Sequence, residues 1–215
     1  MAQVPTGTLF SVATAFGADK TVTAISNATT AVVSCTAHGY SNGDIVEITS
    51  GWGKLNKRAF RVAAVSADTF QLENQDTTNT SFYPTGSSAG TVRKVTTWQQ
   101  FDKVMNPQST GGDPKTVQYK YVESDVEYSI NDGFSATSYT LELDADAIGG
   151  AGYTAAKTLT ETQTDTIMLM RLRNGSPIYL PCKLALNENV KLQDGQINRV
   201  TVAFNGNNRA TRYAA

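Results

Sequence analysis

The sequence has little charge, cysteine or histidine. Only 17% of its 215 residues are charged, below the roughly 25% of a typical soluble domain. Lys and Arg total 18 against 19 Asp and Glu. No basic excess is therefore available to neutralise phosphates, which disfavours direct nucleic-acid binding. The two cysteines, Cys35 and Cys182, lack the spacing of metal ligands. In a reducing compartment we expect both to be free thiols in strands.

Long apolar runs and a secretory signal are also missing. No apolar run approaches the roughly 18 residues that a bilayer-spanning helix needs. The N-terminal residues lack the charged and apolar regions of a signal peptide. We therefore expect no membrane span, and synthesis and folding in a cytoplasm.

The sequence does not indicate a catalytic centre. His38 is the only histidine, and it precedes Gly39 at the head of a predicted turn, where imidazoles commonly hydrogen-bond backbone. No Gly-x-Ser-x-Gly motif accompanies it. We predict a protein that is not an enzyme, with no catalytic residue, no metal ligand and no cofactor.

Strand and turn signals dominate what is present, since Thr, Ser, Asn and Gly replace the missing charges. Near the C-terminus, Val200, Val202 and Phe204 alternate with more polar residues, which predicts a half-buried strand. Three dipeptides predict tight turns: Asn174-Gly175, Asp194-Gly195 and Asn205-Gly206. These patterns indicate a mainly β fold.

The chain divides into three predicted parts. Residues 1–20 indicate an N-terminal arm or an irregular first strand, 21–96 a compact β module, and 97–215 a further β unit with helix. A helix is predicted from Thr97 to Met105, because Thr97 and Gln100 fit a capping box and Trp98, Phe101 and Met105 share one helical face. A second helix is predicted over 153–161. The two prolines and two glycines of 106–115 predict an exposed loop.

Six acidic residues alternate along two predicted strands, 116–130 and 138–144, with Asn131-Asp-Gly133 as the turn between them. They are Glu123, Asp125, Glu127, Glu142, Asp144 and Asp146. Paired as a hairpin, these strands would place six acids on one face. That face is either a solvated sheet surface or a negative surface past which a polyanion slides. Glycoside hydrolysis by paired carboxylates is a third reading, but an open strand face offers neither a buried carboxyl group nor aromatic walls.

Loop aromatics and the C-terminal residues each have two interpretations. Tyr40, Trp52 and Tyr83 are placed either to stack on sugar rings or to anchor irregular segments onto the sheet. Arg209, Arg212 and Tyr213 either clamp a partner subunit or belong to a frayed terminus.

The order of these features resembles the tail tube (major tail) proteins of phages with long, non-contractile tails. The resemblance covers most of the chain. It rests on Val4-Pro-Thr-Gly-Thr8-Leu-Phe, Ala37-His-Gly-Tyr-Ser-Asn-Gly-Asp-Ile-Val46 continuing to Gly51-Trp52, Arg61-Val62 with Asp68-Thr69-Phe70, and the ending from Asp194-Gly195 to Arg209.

The resemblance implies a β-sandwich with one or two flanking helices. It also implies hexameric rings that stack as a tube, whose inner strands form a β-barrel lumen through which genomic DNA passes without specific binding. Further implied partners are the tape measure, tail terminator and distal tail proteins, and the implied location is the virion tail after synthesis in the host cytoplasm. The six acids become candidates for the lumen lining.

Candidate inter-subunit contacts under this reading are Asn106, Gly111, Asp113, Arg209, Arg212 and Tyr213. The 21–96 module is either integral to the sandwich or an outward decoration. The alternative function is a carbohydrate-binding or adhesion β module of a virion, which rests on the loop aromatics.

Overall fold

A computed structural model describes residues 6–215, and this part of the chain is built from short and medium antiparallel strands with one α-helix. The strands before residue 101 are β1 (Leu9–Phe16), β2 (Lys20–Val22), β3 (Ala24–Ile25), β4 (Val32–Ser34), β5 (Ile45–Ser50), β6 (Arg58–Ala63), β7 (Thr69–Leu72) and β8 (Gly90–Gln100). Those after it are β9 (Val104–Thr110), β10 (Pro114–Tyr119), β11 (Tyr128–Phe134), β12 (Ser138–Asp144), β13 (Asp165–Arg171), β14 (Pro177–Lys191), β15 (Arg199–Gly206) and β16 (Thr211–Arg212). The predicted mainly β fold is confirmed.

Within the described residues, one curled sheet contains fourteen of these strands. Its order is β3-β4-β7-β6-β5-β8-β1-β13-β14-β15-β12-β9, with β2 on β8 and β16 on β14. β10 and β11 pair only with each other in this part of the chain, as a separate hairpin. The central position of β1, between β8 and β13, shows that residues 9–16 are a strand of the sheet; residues 1–5 lie outside the described part.

The helix α1 (Ala151–Thr162) covers one side of the sheet, as predicted, and packs against β14, β1 and β8. It buries Tyr153, Ala156 and Leu159 among side chains of β12, β14 and β15, which form one apolar core. A second core fills the module before residue 96, and a third contains residues from both parts, including Ile45 and Tyr179. The fold therefore fits a β-sandwich with one flanking helix.

The predicted helix over 97–105 is wrong. Residues 95–100 pair with β1 in β8, and residues 104–110 pair with β12 in β9. Lys103 between them has φ of +53°, which interrupts any helix. Trp98 and Phe101 pack in different cores rather than on one helical face. The sequence spacing of these side chains, which suggested a helical face, results from the chain changing direction between β8 and β9.

The predicted loop at 106–115 is also corrected, although its exposure is confirmed. β9 extends to Thr110 and β10 begins at Pro114, so only 111–113 connect them. Pro107 is tolerated because it lies in an edge strand, at a register shift in the pairing of β9 with β12.

Two of the predicted turns are parts of strands. Asn205-Gly206 lies in β15, and a Cβ on Gly206 would meet the Thr137 carbonyl oxygen at 2.5 Å, so glycine serves close backbone approach there. Asn131-Asp-Gly133 lies in β11, where Gly133 has φ of +101° at a register shift opposite Lys115, the geometry of a β-bulge. The turns at Asn174-Gly175 and Asp194-Gly195 are confirmed.

Candidate assembly surface

The histidine and the loop aromatics are structural. His38 is buried, its Nε2 lies 2.9 Å from the Ser66 carbonyl oxygen, and its Nδ1 accepts from the Tyr40 N–H at 3.0 Å. Tyr40, Trp52 and Tyr83 are all buried, and the Trp52 indole donates to the Pro84 carbonyl at 2.7 Å. These aromatics anchor loops to the sheet, so they provide no stacking platform for sugars.

Cys35 and Cys182 are buried free thiols. Cys182 lies in β14, and burial raises the pKa of its thiol to about 12. Cys35 follows the end of β4, and burial also raises its pKa. Within residues 6–215, no group of three or more His, Cys, Asp or Glu side chains is arranged to hold a metal ion. No helix in that range is long and apolar enough to cross a bilayer.

The six predicted acids do not share one face, because β12 pairs with β9 and β15 rather than with β11. Glu142, on β12, accepts from Asn106 at 2.9 Å and pairs with Arg199 at 2.9 Å and Lys191 at 3.1 Å. These partners lower the pKa of Glu142 to about 2. Asp144 ends β12, and its side chain accepts from the Asp146 N–H in a following 3₁₀ turn.

The other three acids lie in the segment between β10 and β11, which is not a strand. We call residues 120–127 the hairpin tip. Glu123, Asp125 and Glu127 are carried there together with Lys120, and Val122 between them is fully exposed. The tip is therefore an acidic loop that also exposes apolar side chains, Val122 and Val126.

The hairpin that carries this tip has two unlike faces. Val117 lies opposite Ile130 and Tyr119 opposite Tyr128, so these four side chains share one face. Val117, Tyr128 and Ile130 are about half exposed. The other face carries the pairs Thr116–Asn131 and Gln118–Ser129. We call the first set, together with Tyr121, the apolar hairpin face.

Three tyrosines order the end of this face. The Tyr119 and Tyr128 rings stack with centroids 5.4 Å apart, and Tyr121 meets them edge-on at 5.5 Å and 6.0 Å. Offset and edge-to-face aromatic pairs contribute about 0.5–1.5 kcal/mol each. This cluster stiffens a hairpin that is not covered by any other described element.

A polar cavity of about 550 Å³ lies at the other end of the hairpin. Its lining residues, which we call the base pocket, are Gly112, Lys115, Phe134, Ser135, Ala136, Thr137, Gly206, Asn207, Asn208, Arg209 and Ala210. The Arg209 guanidinium stacks on the Phe134 ring at 4.7 Å. The two charged lining residues, Lys115 and Arg209, are both cations.

The predicted contact residues occupy different surroundings. Gly111 and Asp113 are exposed in the connection from β9 to β10, whereas Asn106 binds Glu142 of its own chain. Arg212 is in β16, which pairs with β14. Tyr213 is buried in the third core, so the chain is not frayed as far as this residue.

Sequence reasoning predicted strand over 116–130 but missed the pairing of β10 with β11 that creates the apolar hairpin face. The signal was available, because Val117, Tyr119 and Tyr121 alternate with polar residues just as Tyr128 and Ile130 do. The interpretation of 116–130 as a strand that is broken or bent in the middle does not separate β10 from β11.

Comparison with known sequences identifies the family. The profile of the family described as Phage tail tube protein, TTP, matches residues 50–215. None of the curated proteins matches the chain. The family match spans most of the chain, from the end of β5 to the C-terminal residue, and includes the hairpin and both of its ends. The chain therefore belongs to the phage tail tube protein family, a structural component of the virion tail.

Proposed function

We propose that this chain self-assembles into stacked hexameric rings that form the tail tube of a siphophage, the conduit for DNA ejection. It would be made in the host cytoplasm and reside in the virion tail. Its partners would be further copies of itself, then the tape measure, tail terminator and distal tail proteins. Genomic DNA would pass through the lumen without specific binding.

The observation that carries this proposal is the apolar hairpin face. A two-stranded hairpin is marginally stable in water unless its apolar face packs against something. Here Val117, Ile130 and the tyrosines are on a hairpin that leaves the sheet, and half-exposed side chains of this kind mark interaction surfaces when they are contiguous. A tail tube contains many copies of the same chain, so each copy can cover this apolar face with the surface of another copy.

The edges of the sheet support the same conclusion. β9 is an edge strand with a free row of backbone groups, interrupted by Pro107. An edge strand in a monomer is open to pairing with another chain. In a closed ring every copy makes the same contacts, so the edge strand of each copy can pair with a neighbouring copy and no free edge remains.

We also propose that Glu142, Asp144 and Asp146 contribute to an acidic lumen. They lie together on β12 and the turn after it, and Asp144 and Asp146 form no ion pair within residues 6–215. A negative lining would repel phosphates and keep DNA from adhering. Glu142 would contribute less, since Lys191 and Arg199 neutralise it.

Negative-stain electron microscopy of purified protein, over a range of concentrations, tests the proposal. We expect tubes of uniform width from the natural chain. Val117→Ser with Ile130→Ser should abolish them, because burying two such side chains contributes about 3 kcal/mol or more per contact, roughly a hundredfold in the concentration required.

The matched control is Thr116→Ser with Asn131→Ser, the neighbouring pair on the opposite face. It should assemble normally. Circular dichroism should give both variants the melting temperature of the natural chain. If the Val117/Ile130 variant assembled at the same concentration as the natural chain, the apolar hairpin face would not be an assembly contact. A natural chain that never assembles, even with tail initiator proteins, would contradict the proposed function.

A further inference from the structure

The hairpin tip and the lining of the base pocket carry opposite charge. The hairpin tip has three acids and one lysine, whereas the charged residues that line the base pocket are Lys115 and Arg209. Each end also presents an apolar group, since Val122 is fully exposed at the tip and Phe134 is about half exposed in the pocket. The two surfaces are complementary in both properties.

A tip cannot reach the base pocket of its own chain. β10 spans the six residues Pro114–Tyr119, which at about 3.4 Å per residue separate the two ends by roughly 20 Å. The paired strands and the stacked tyrosines keep the hairpin extended. The complementary surfaces of one chain therefore face away from each other.

We propose that the hairpin tip of one copy docks into the base pocket of the next copy. The proposal rests on the self-assembly proposed above and names the contact that drives it. Glu123, Asp125 and Glu127 face Lys115 and Arg209 of the neighbour, and Val122 packs against the neighbour's Phe134 beside its Arg209.

This contact is head-to-tail, since it joins two different surfaces of identical chains. Such contacts close into rings when the rotation between copies allows it, and otherwise continue as a helix. Every copy donates one tip and accepts one, so the contact leaves no unused end in a closed ring. Because the charges involved are solvent-exposed before docking, the contact should weaken as salt rises above about 0.15 M.

Charge reversal tests the pairing. Glu123→Lys/Asp125→Lys/Glu127→Lys at the tip should raise the concentration needed for tubes about tenfold or more, and Lys115→Glu/Arg209→Glu in the pocket should do the same. The matched control reverses three exposed acids elsewhere that form no ion pair within residues 6–215, as Asp19→Lys/Glu161→Lys/Asp194→Lys. It changes the net charge by the same amount as the tip variant and should assemble normally.

Two combinations should restore assembly. A chain with both the reversed tip and the reversed pocket pairs a basic tip with an acidic pocket. An equal mixture of the tip-reversed and pocket-reversed chains does so as well, because copies of the two kinds can alternate. Restoration in either combination supports the direct contact, as a merely structural effect of either variant would not be undone by the other.

The outcomes separate this inference from the proposed function. Tubes from the natural chain together with normal assembly of both reversed variants would overturn the inference and leave the tube function standing. The inference would also be overturned if both variants lost assembly at an unchanged melting temperature and neither combination restored it. In that case, binding of a short anionic probe such as inorganic polyphosphate to the pocket would assign Lys115 and Arg209 to anion binding. A natural chain that never assembles would contradict the tube function itself.

Discussion

The backbone N–H of Arg61 donates a hydrogen bond of 2.7 Å to the Tyr213 hydroxyl, joining β6 to a residue near the C-terminus. The Arg61 guanidinium also lies 4.5 Å from the centre of the Tyr213 ring. Burial raises the pKa of the Tyr213 hydroxyl to about 12, so it remains a neutral hydrogen-bonding group. Tyr213 is therefore part of the subunit's own core.

Removing that hydroxyl should destabilise the monomer. Tyr213→Phe keeps the ring and loses the hydrogen bond to Arg61, which costs about 1–2 kcal/mol of unfolding free energy. Urea denaturation measures the change. Tyr139→Phe is the control, because the Tyr139 hydroxyl makes no hydrogen bond to the described residues. Equal effects of the two substitutions would show that the Arg61–Tyr213 bond contributes nothing net.

Breaking the ion pair of Glu47 and Arg93 should lower the free energy of unfolding by an amount that depends on pH. Glu47 is 2% exposed, and its Oε1 has no hydrogen-bond partner among the described residues, so Arg93 is its main compensation. Arg93→Leu leaves a buried carboxylate unpaired and should cost about 3 kcal/mol at pH 7. Lys94→Leu, which breaks the more exposed pair with Asp44, should cost less than about 1 kcal/mol.

The sign of the pH effect follows from Glu47. Burial raises the pKa of its carboxyl group even with Arg93 present, and loss of Arg93 raises it further. The protonated form is the better tolerated one, so the cost of Arg93→Leu is largest at high pH and shrinks as pH falls through the raised pKa. A cost that is constant from pH 8 to pH 4 would contradict this account.

The pKa of Glu142 is shifted the opposite way, but the cost of removing its carboxylate also shrinks as pH falls, in a lower pH range. Its hydrogen bonds with Asn106, Arg199 and Lys191 lower its pKa to about 2, so its stabilisation is present above its ordinary pKa and is lost as pH falls toward 2. Glu142→Gln should therefore cost about 1–2 kcal/mol at pH 7. The difference from the natural chain should shrink between about pH 4.5 and pH 2. Denaturant curves at several pH values measure it, with Glu161→Gln as an exposed control.

Substitutions of two different sets of acidic residues should affect tube assembly and DNA passage separately. Asp144→Asn with Asp146→Asn should leave tubes intact and slow DNA ejection from the virion, because the lumen would repel phosphates less. Neutralising Glu123, Asp125 and Glu127 should instead weaken assembly if these residues bind the base pocket. Normal ejection from virions carrying the Asp144/Asp146 variant would rule out their role as lumen lining.

Strands and helix α1 could be predicted from local alternation, but pairing partners could not. The predicted strand 138–144 matches β12 in both bounds, since its alternation comes from side chains that are neighbours in sequence. The pairing of β12 with β9 and β15, and of β11 with β10, depends on contacts between distant segments. The separated positions of the six acids follow from that pairing.

Turn motifs misled for a related reason. An Asn-Gly pair allows a tight turn, but Gly206 is required by the approach of the Thr137 carbonyl, and Gly133 by a bulge. At both positions glycine is required by the backbone of a neighbouring segment, which the local sequence does not show. The hairpin, by contrast, has an alternation that is visible in the sequence. The loop at 120–127 continues that alternation through Glu123, Asp125 and Glu127, and this hides the boundary between the two strands.

β8 belongs to both parts of the subunit: its first residues pair with β5 and β2, and its last residues pair with β1. A pull on the module before residue 96 would therefore act along one unbroken backbone and be resisted by many hydrogen bonds at once, loaded in parallel. A flexible linker in the same place would yield at low force. In a tube wall made of such subunits, this junction would deform elastically with its neighbours and would not act as a crease.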